Sequence, residues 1–310
     1  MSDLSVNICG INFTNPLIAA SGTFGYGSEY SPLFDTNCFG GICSKGLTLD
    51  PKPGNKGTRL QECAAGLINS IGLENPGIPH FIENELPQML KLKPVSIANL
   101  SGSSIETYTK GAELLEKTAV QMIELNISCP NVKAGGMAFG LDCKTAAEVT
   151  AAVRAKTTKP LIVKLSPNAA DISAIALSVA EAGADAVSMI NTVQALAINI
   201  ESGKPVFDNI FAGYSGPAVK PIALRMVYQT AKAFSQLPEA KRKPIIGLGG
   251  IASWQDAVEF IMAGASALQI GTATFANPLC AQQILEGLDA FMARKNYKKI
   301  SDFCGCALQL

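Results

Sequence analysis

Eight short apolar runs recur along this chain, each ending in a small or polar residue: Leu17–Ser21, Gly41–Lys45, Val95–Asn99, Met122–Cys129, Leu161–Ser166, Ala186–Thr192, Pro244–Gly250 and Ala267–Thr272. They are continuous rather than alternating, the pattern of parallel strands buried on both faces. Helical signals lie between several of them. Ser103 with Glu106 and Thr145 with Glu148 have capping-box spacing. Asp171 opens a segment with Ile172, Ile175 and Val179 on one face, closed by Gly183. Ser253 and Asp256 open another, with Val258, Ile261 and Met262 inward and Gly264 at its end. Strands alternating with helices predict an α/β fold, a (β/α)8 TIM barrel, and 310 residues fit one such domain spanning 1–310. The start, Val6–Asn15 with Gly10 at its turn, reads as a hairpin that plugs the barrel bottom. Two long linkers, Thr48–Val95 and Val193–Pro217, follow strands and so belong to the catalytic face; the second holds a further hairpin around Glu201-Ser202-Gly203-Lys204.

Charge narrows the partners. Lys plus Arg and Asp plus Glu both number 25, so no field of one sign exists to attract nucleic acid or anionic lipid, and neither is an expected partner. Any anion must be bound by local geometry. The first residues, Met1-Ser2-Asp3-Leu4-Ser5-Val6, lack the basic and apolar regions of a signal peptide. No apolar run approaches the roughly 20 residues that span a bilayer, and the expected location is the cytoplasm. Nine cysteines without regular spacing argue against a disulfide framework; Cys9, Cys43 and Cys280 read as buried reduced thiols. With one histidine, His80, and no HExxH or paired CxxC, no metal site is expected.

The strand ends carry Ser21, Lys45, Asn99, Asn126, Cys129, Lys164 and Asn191. Any one has a bland explanation: a strand-end Asn caps a loop, and a lone Lys snorkels to water. On one barrel rim, where active sites sit, they converge. Cys129 lies in the polar run Asn126-Ile127-Ser128-Cys129-Pro130-Asn131, poorly placed for core packing and well placed to meet a ligand. The last two units form a phosphate site by pattern, with Gly247, Gly249 and Gly250 after one strand and Gly271-Thr272 after the next. Gly247, Gly249 and Ala252 also match a dinucleotide fingerprint, but 269–274, where its acidic residue should fall, holds none. Lys164 in Val163-Lys164-Leu165-Ser166-Pro167 leaves two options open, a Schiff base and a fixed cation beside an electron-rich ring such as a mononucleotide flavin.

Asn126-Ile127-Ser128-Cys129-Pro130-Asn131 followed by Gly135-Gly136-Met137-Ala138-Phe139-Gly140 resembles the catalytic loop of class 1 dihydroorotate dehydrogenases. Asn69-Ser70-Ile71-Gly72-Leu73-Glu74-Asn75-Pro76-Gly77 resembles their substrate loop, and Ala20–Gly25, Ser44–Gly46 and Ser215–Ala218 match as well. The likeness runs from the first hairpin to about Thr274. The Gly-Gly-Met-Ala-Phe-Gly segment and the stretch Ile200–Tyr228 look like class 1B, the NAD-linked form, rather than the fumarate-linked 1A. The loop Pro51–Ala65, with Lys56-Gly57, is less proline-rich than in relatives, and Cys304-Gly305-Cys306 is not a family motif.

The resemblance implies oxidation of dihydroorotate to orotate in pyrimidine biosynthesis, with Cys129 as general base and FMN as hydride acceptor. It implies FMN contacts from Ser21, Lys45, Gly46, Asn99, Asn126 and Lys164, and from Ile190, Gly216, Gly249, Gly250, Gly271 and Thr272. Substrate would meet Lys45, Asn69, Ser70, Ile71, Gly72 and Leu73, with Asn126, Asn191 and Thr192. The glycine-rich Val132–Gly140 would serve as a lid or as an ordinary flexible loop. A second subunit, an iron–sulfur flavoprotein with FAD and a [2Fe–2S] cluster, would carry electrons to NAD⁺, in a heterotetramer built on a homodimer of this chain. The alternatives are the fumarate-linked enzyme and a Schiff-base lyase using Lys164.

Overall fold

The computed structural model describes residues 2–128 and 139–309. Eight parallel strands close a barrel in chain order: β1 (Leu17–Ala19), β2 (Gly41–Cys43), β3 (Val95–Leu100), β4 (Met122–Asn126), β5 (Leu161–Lys164), β6 (Ala186–Met189), β7 (Ile245–Leu248) and β8 (Ala267–Ile270). The β8–β1 pairing, Leu268 against Leu17, shuts the ring. Helices α1 (Ile105–Glu116), α2 (Cys143–Arg154), α3 (Ile172–Glu181), α4 (Lys220–Ser235), α5 (Trp254–Met262) and α6 (Cys280–Lys295) cover its outside. This is the (β/α)8 barrel the apolar runs predict.

Two caps differ from their expected positions. Helix α1 is capped by Ser104, whose hydroxyl accepts from Thr107 N, one residue beyond the predicted Ser103. Helix α2 is capped by Asp142, whose carboxylate accepts from Thr145 N, so Thr145 sits inside the first turn. A charged acceptor three residues upstream is the stronger cap. Asp171 and the Ser253–Asp256 capping box start α3 and α5 as predicted. Met262 is only half-buried; Ala257, Val258, Phe260 and Ile261 carry the inward face of α5.

Side chains alternate along each strand, and that alternation builds the site. The lower interior is apolar: Ile18, Cys43, Ile97, Met122, Ile162, Ala186, Ile246 and Ala267 form one cluster. Two residues on, the inward positions become Asn99, Glu124, Lys164, Ser188 and Gln269, all buried. The N-terminal hairpin, Val6–Ile8 paired with Ile11–Phe13, pushes Ile8 and Phe13 into the lower cluster and seals it. Cys9, at the hairpin turn, is half-buried rather than buried; Cys43 and Cys280 are buried as expected.

The two long linkers also pair with each other. Leu60–Cys63, Gly66–Asn69, Phe211–Ser215 and Val193–Leu196 form a four-stranded antiparallel sheet over the barrel mouth. The predicted extra hairpin is present as Ile198–Asn199 paired with Lys204–Pro205. Among the described residues no helix is long and apolar enough to cross a membrane.

Phe13 is 1 % exposed and packs its ring beside Gly41 of β2. Phe13→Ala should therefore cost about 3–5 kcal/mol, the range for an unfilled aromatic cavity. Urea unfolding measures it, and a loss below about 1 kcal/mol would show that the plug does not hold the barrel floor.

Candidate functional site

A cavity of about 730 Å³ opens at the C-terminal end of the strands, under the four-stranded sheet. That volume suits a cofactor or small ligand. Ser21, Lys45, Gly46, Asn99, Asn126 and Lys164 line it, as do Ile190, Gly216, Gly249, Gly250, Gly271 and Thr272. So do Asn69, Ile71, Gly72, Leu73, Asn191 and Thr192. Ser70 is the exception. It is buried off the cavity wall, its N–H donates to Arg59 O, and its hydroxyl accepts from Asn55 Nδ2 at 2.9 Å. Cys129, the predicted base, and residues 132–138 of the predicted lid lie outside the described residues; Phe139 and Gly140 are described.

The floor centres on Glu124, which the apolar context Met122–Leu125 hid from sequence reasoning. It is 0 % exposed. Its carboxylate accepts from Asn99 Nδ2 (2.6 Å), Gln269 Nε2 (2.6 Å), Ser188 Oγ (2.8 Å) and Cys43 Sγ (3.3 Å), with Lys164 Nζ at 3.6 Å. Burial opposes charge on Glu124, but the Lys164 ammonium and the donors from Gln269, Ser188 and Cys43 outweigh it and hold the carboxyl below its ordinary range. Burial pushes the Cys43 thiol well up, and the Glu124 charge pushes it further, so Cys43 remains a protonated donor. Lys164 also donates to Ser21 Oγ at 3.2 Å.

From Glu124 a chain of hydrogen bonds climbs to the rim. Asn126 Nδ2 donates to Asn99 Oδ1 (3.2 Å), Ser128 Oγ to Asn126 Oδ1 (2.7 Å), and Asn191 Nδ2 to Ser128 Oγ (2.7 Å). Gln269 Oε1, by contrast, is buried with no partner among the described residues. Such an acceptor costs about 1–3 kcal/mol unless something donates to it. Lys45 Nζ makes no hydrogen bond to the described residues, and burial holds its ammonium below the usual lysine value, with Glu74 opposing and Arg59 assisting.

An anion cradle sits at one side. The N–H groups of Gly249, Gly250, Gly271 and Thr272 find no acceptor among the described residues. Gly249 (φ +123) and Gly250 (φ +79) occupy backbone conformations that a side chain resists. The N-terminus of α5, expected to add its dipole, is taken: Asp256 accepts from Ala252 N and Ser253 N. Among the described residues no group of three or more His, Cys, Asp or Glu could hold a metal. Cys304 and Cys306 are free thiols, and Cys304 Sγ donates to Ala265 O, so the tail packs against the turn after α5.

The dihydroorotate dehydrogenase family model matches residues 3–292. The chain is 51% identical over 305 residues to "Dihydroorotate dehydrogenase B (NAD(+)), catalytic subunit" of Petrotoga mobilis, covering 98% of this chain and 99% of that one. The proteins of the same name from Caldicellulosiruptor bescii and Bacteroides thetaiotaomicron are 50% and 49% identical, with 98% of this chain covered in each case and 98% and 99% of theirs. Among solved structures, that of DHODH in complex with ferulenol from Eimeria tenella superposes with a TM-score of 0.82 at 23% identity, over 99% of this chain and 89% of that one, a likeness of fold.

Gly271 has an ordinary φ, and a Cβ there would meet nothing nearer than Ala20 Cβ at 3.8 Å. Gly271→Ala should fold with stability within about 0.5 kcal/mol of the parent, whereas Gly250→Ala, whose Cβ would lie 2.7 Å from Lys220 N at positive φ, should lose more than about 1 kcal/mol. Paired denaturant melts separate the two, and equal losses would contradict the described cradle.

Proposed function

The chain belongs to the dihydroorotate dehydrogenase family, and on that premise we propose that its cavity holds FMN beside dihydroorotate at the open end of the barrel. It is an NAD(+)-linked enzyme of the B type that oxidises dihydroorotate to orotate in pyrimidine synthesis. The observation that carries the flavin placement is the floor: a buried Lys164–Glu124 pair beside an unpartnered Gln269 Oε1, next to a cradle of free N–H groups. The residues present fit the group. Gly249, Gly250, Gly271 and Thr272 suit its phosphate by their N–H groups, and Ser21, Gly46, Asn99, Ile190 and Gly216 close around the remainder.

Dihydroorotate loses a proton from C5 and a hydride from C6. Bound FMN supplies the hydride acceptor. Cys129, which follows Ser128 in the chain, takes the proton. A free thiol ionises near pH ~8.5, so turnover should rise as pH climbs through its pKa. Lys45, whose ammonium makes no hydrogen bond to the described residues, meets the substrate carboxylate. Asn69 is braced by donating to Gly213 O, and Asn191 by donating to Ser128; with Asn126 and Thr192 they offer amides and hydroxyls to a ring of donors and acceptors. Ile71–Leu73 line the approach. Lys164 places a cation at the floor that favours reduced, anionic flavin.

Relatives named as catalytic subunits imply a partner subunit. We assign it as an iron–sulfur flavoprotein carrying FAD and a [2Fe–2S] cluster, in a cytoplasmic heterotetramer built on a homodimer of this chain. Isolation from the native source should bring that subunit down, with NAD⁺ reduction only in its presence; good turnover of this chain alone with fumarate would defeat the assignment.

The purified protein should be yellow, with a band near ~450 nm. Cys129→Ser should slow flavin reduction by dihydroorotate by orders of magnitude with FMN retained, and an unchanged stopped-flow rate would remove Cys129 from its role. Lys164→Ala should lower the flavin midpoint potential, read by potentiometric titration, and a midpoint that stayed put would count against its placement.

A further inference from the structure

We propose that Glu124 is a positioning residue for the flavin ring, setting both the charge and the hydrogen-bond polarity of the cavity floor; this rests on the FMN placement above. Glu124 itself does not line the cavity. It acts through the groups it holds.

An ionised carboxylate only accepts, so each amide that touches it must turn its NH₂ inward. Gln269 gives Nε2 to Glu124 at 2.6 Å, and its Oε1 is left buried and unpartnered among the cavity-lining groups. That oxygen is an acceptor for a ring N–H. Asn99 gives Nδ2 at 2.6 Å, which commits its Oδ1 to Asn126 Nδ2. Asn126 Oδ1 is then left for Ser128, and Ser128 Oγ for Asn191. One buried carboxylate thus orients polar side chains up to the rim.

The second effect is charge. Glu124 and Lys164 are 0% and 4% exposed at their side chains and 3.6 Å apart, so together they present a floor of no net charge. Without Glu124 the Lys164 cation would stand unpaired at the cavity floor. It then stabilises the reduced flavin, which carries the extra negative charge. Glu124 therefore holds the flavin potential down.

The test is potentiometric titration of FMN-loaded protein, with FMN affinity read by fluorescence titration. Glu124→Gln should shift the midpoint positive and Lys164→Met negative, and the double variant should return toward the parent. FMN affinity should fall about tenfold in Glu124→Gln, because its new NH₂ group, in either carboxylate position, meets the NH₂ of Asn99 or of Gln269 and forces that amide to turn. A Glu124→Gln protein that loses thermal stability but keeps the parent midpoint and FMN affinity overturns the proposal. Where that variant does not fold, Gln269→Met removes the floor acceptor together with its own donor to Glu124 and leaves the Lys164–Glu124 pair; it should weaken FMN about tenfold, and unchanged affinity is equally fatal. Parent protein that takes up no FMN overturns the flavin placement and this proposal together, whereas FMN-binding parent beside an unaltered variant overturns this proposal only.

Discussion

One carboxylate with no solvent contact organises the open end of this barrel. Burying a charge is unfavourable unless it is paired and fully hydrogen-bonded. Glu124 meets that condition with Lys164 and donors from β2, β3, β6 and β8, so strands from around the barrel are tied at one point. Well-packed apolar side chains in place of such a buried pair are often neutral or stabilising. Its presence therefore argues for a use, and the cavity directly above it supplies one.

The interior is built in two layers. Ile8 and Phe13 of the hairpin seal an apolar floor made of inward residues from the strands. Moving two residues along each strand keeps the side chain on the same face and changes its chemistry: Met122 to Glu124, Ile162 to Lys164, Ala186 to Ser188, Ala267 to Gln269. The lower layer contributes burial, worth about 25 cal/mol per Å² of apolar surface. The upper layer spends part of that stability on fixed dipoles. The same strand geometry thus separates what holds the fold from what meets the ligand.

The sequence made the barrel legible because each strand is a local apolar run, readable without knowing its partners. The polar rim residues were legible for the same reason, standing where runs end. The sheet over the mouth was not, because Leu60–Cys63 is short and exposed, Gly66–Asn69 is short and half-buried, and their neighbour Phe211–Ser215 lies well over a hundred residues away. Non-local pairing leaves no periodic trace in so few residues. Glu124 was hidden by the opposite effect: a charged residue inside an apolar strand reads as tolerated until four donors are found around it. Ser70 was placed with its lining neighbours because a loop motif does not say which of its side chains faces inward.

On the proposed FMN placement, the free N–H groups of Gly249, Gly250, Gly271 and Thr272 would meet a phosphate without help from net charge. Lys220, whose backbone N would lie 2.7 Å from a Cβ on Gly250, is held at its ammonium by Asp256 at 2.8 Å and by Glu259 at 3.1 Å. Its hydrogen bond to the Asp256 carboxylate, above all, raises the Lys220 pKa, so it stays charged but neutralised. Asp256 also occupies the N–H groups of Ala252 and Ser253 at the start of α5. On that side the Lys220 ammonium and the first N–H groups of α5 are thus already engaged. What remains is a set of N–H dipoles on two glycine turns, fixed in direction by backbone that Gly249 and Gly250 alone can adopt without strain. Dipoles of this kind attract only an anion that reaches them with several oxygens at short range, because their field falls off faster than that of a full charge. On this proposal selectivity would come from shape at the turns rather than from charge at a distance, since the 25 cations and 25 anions of the chain balance.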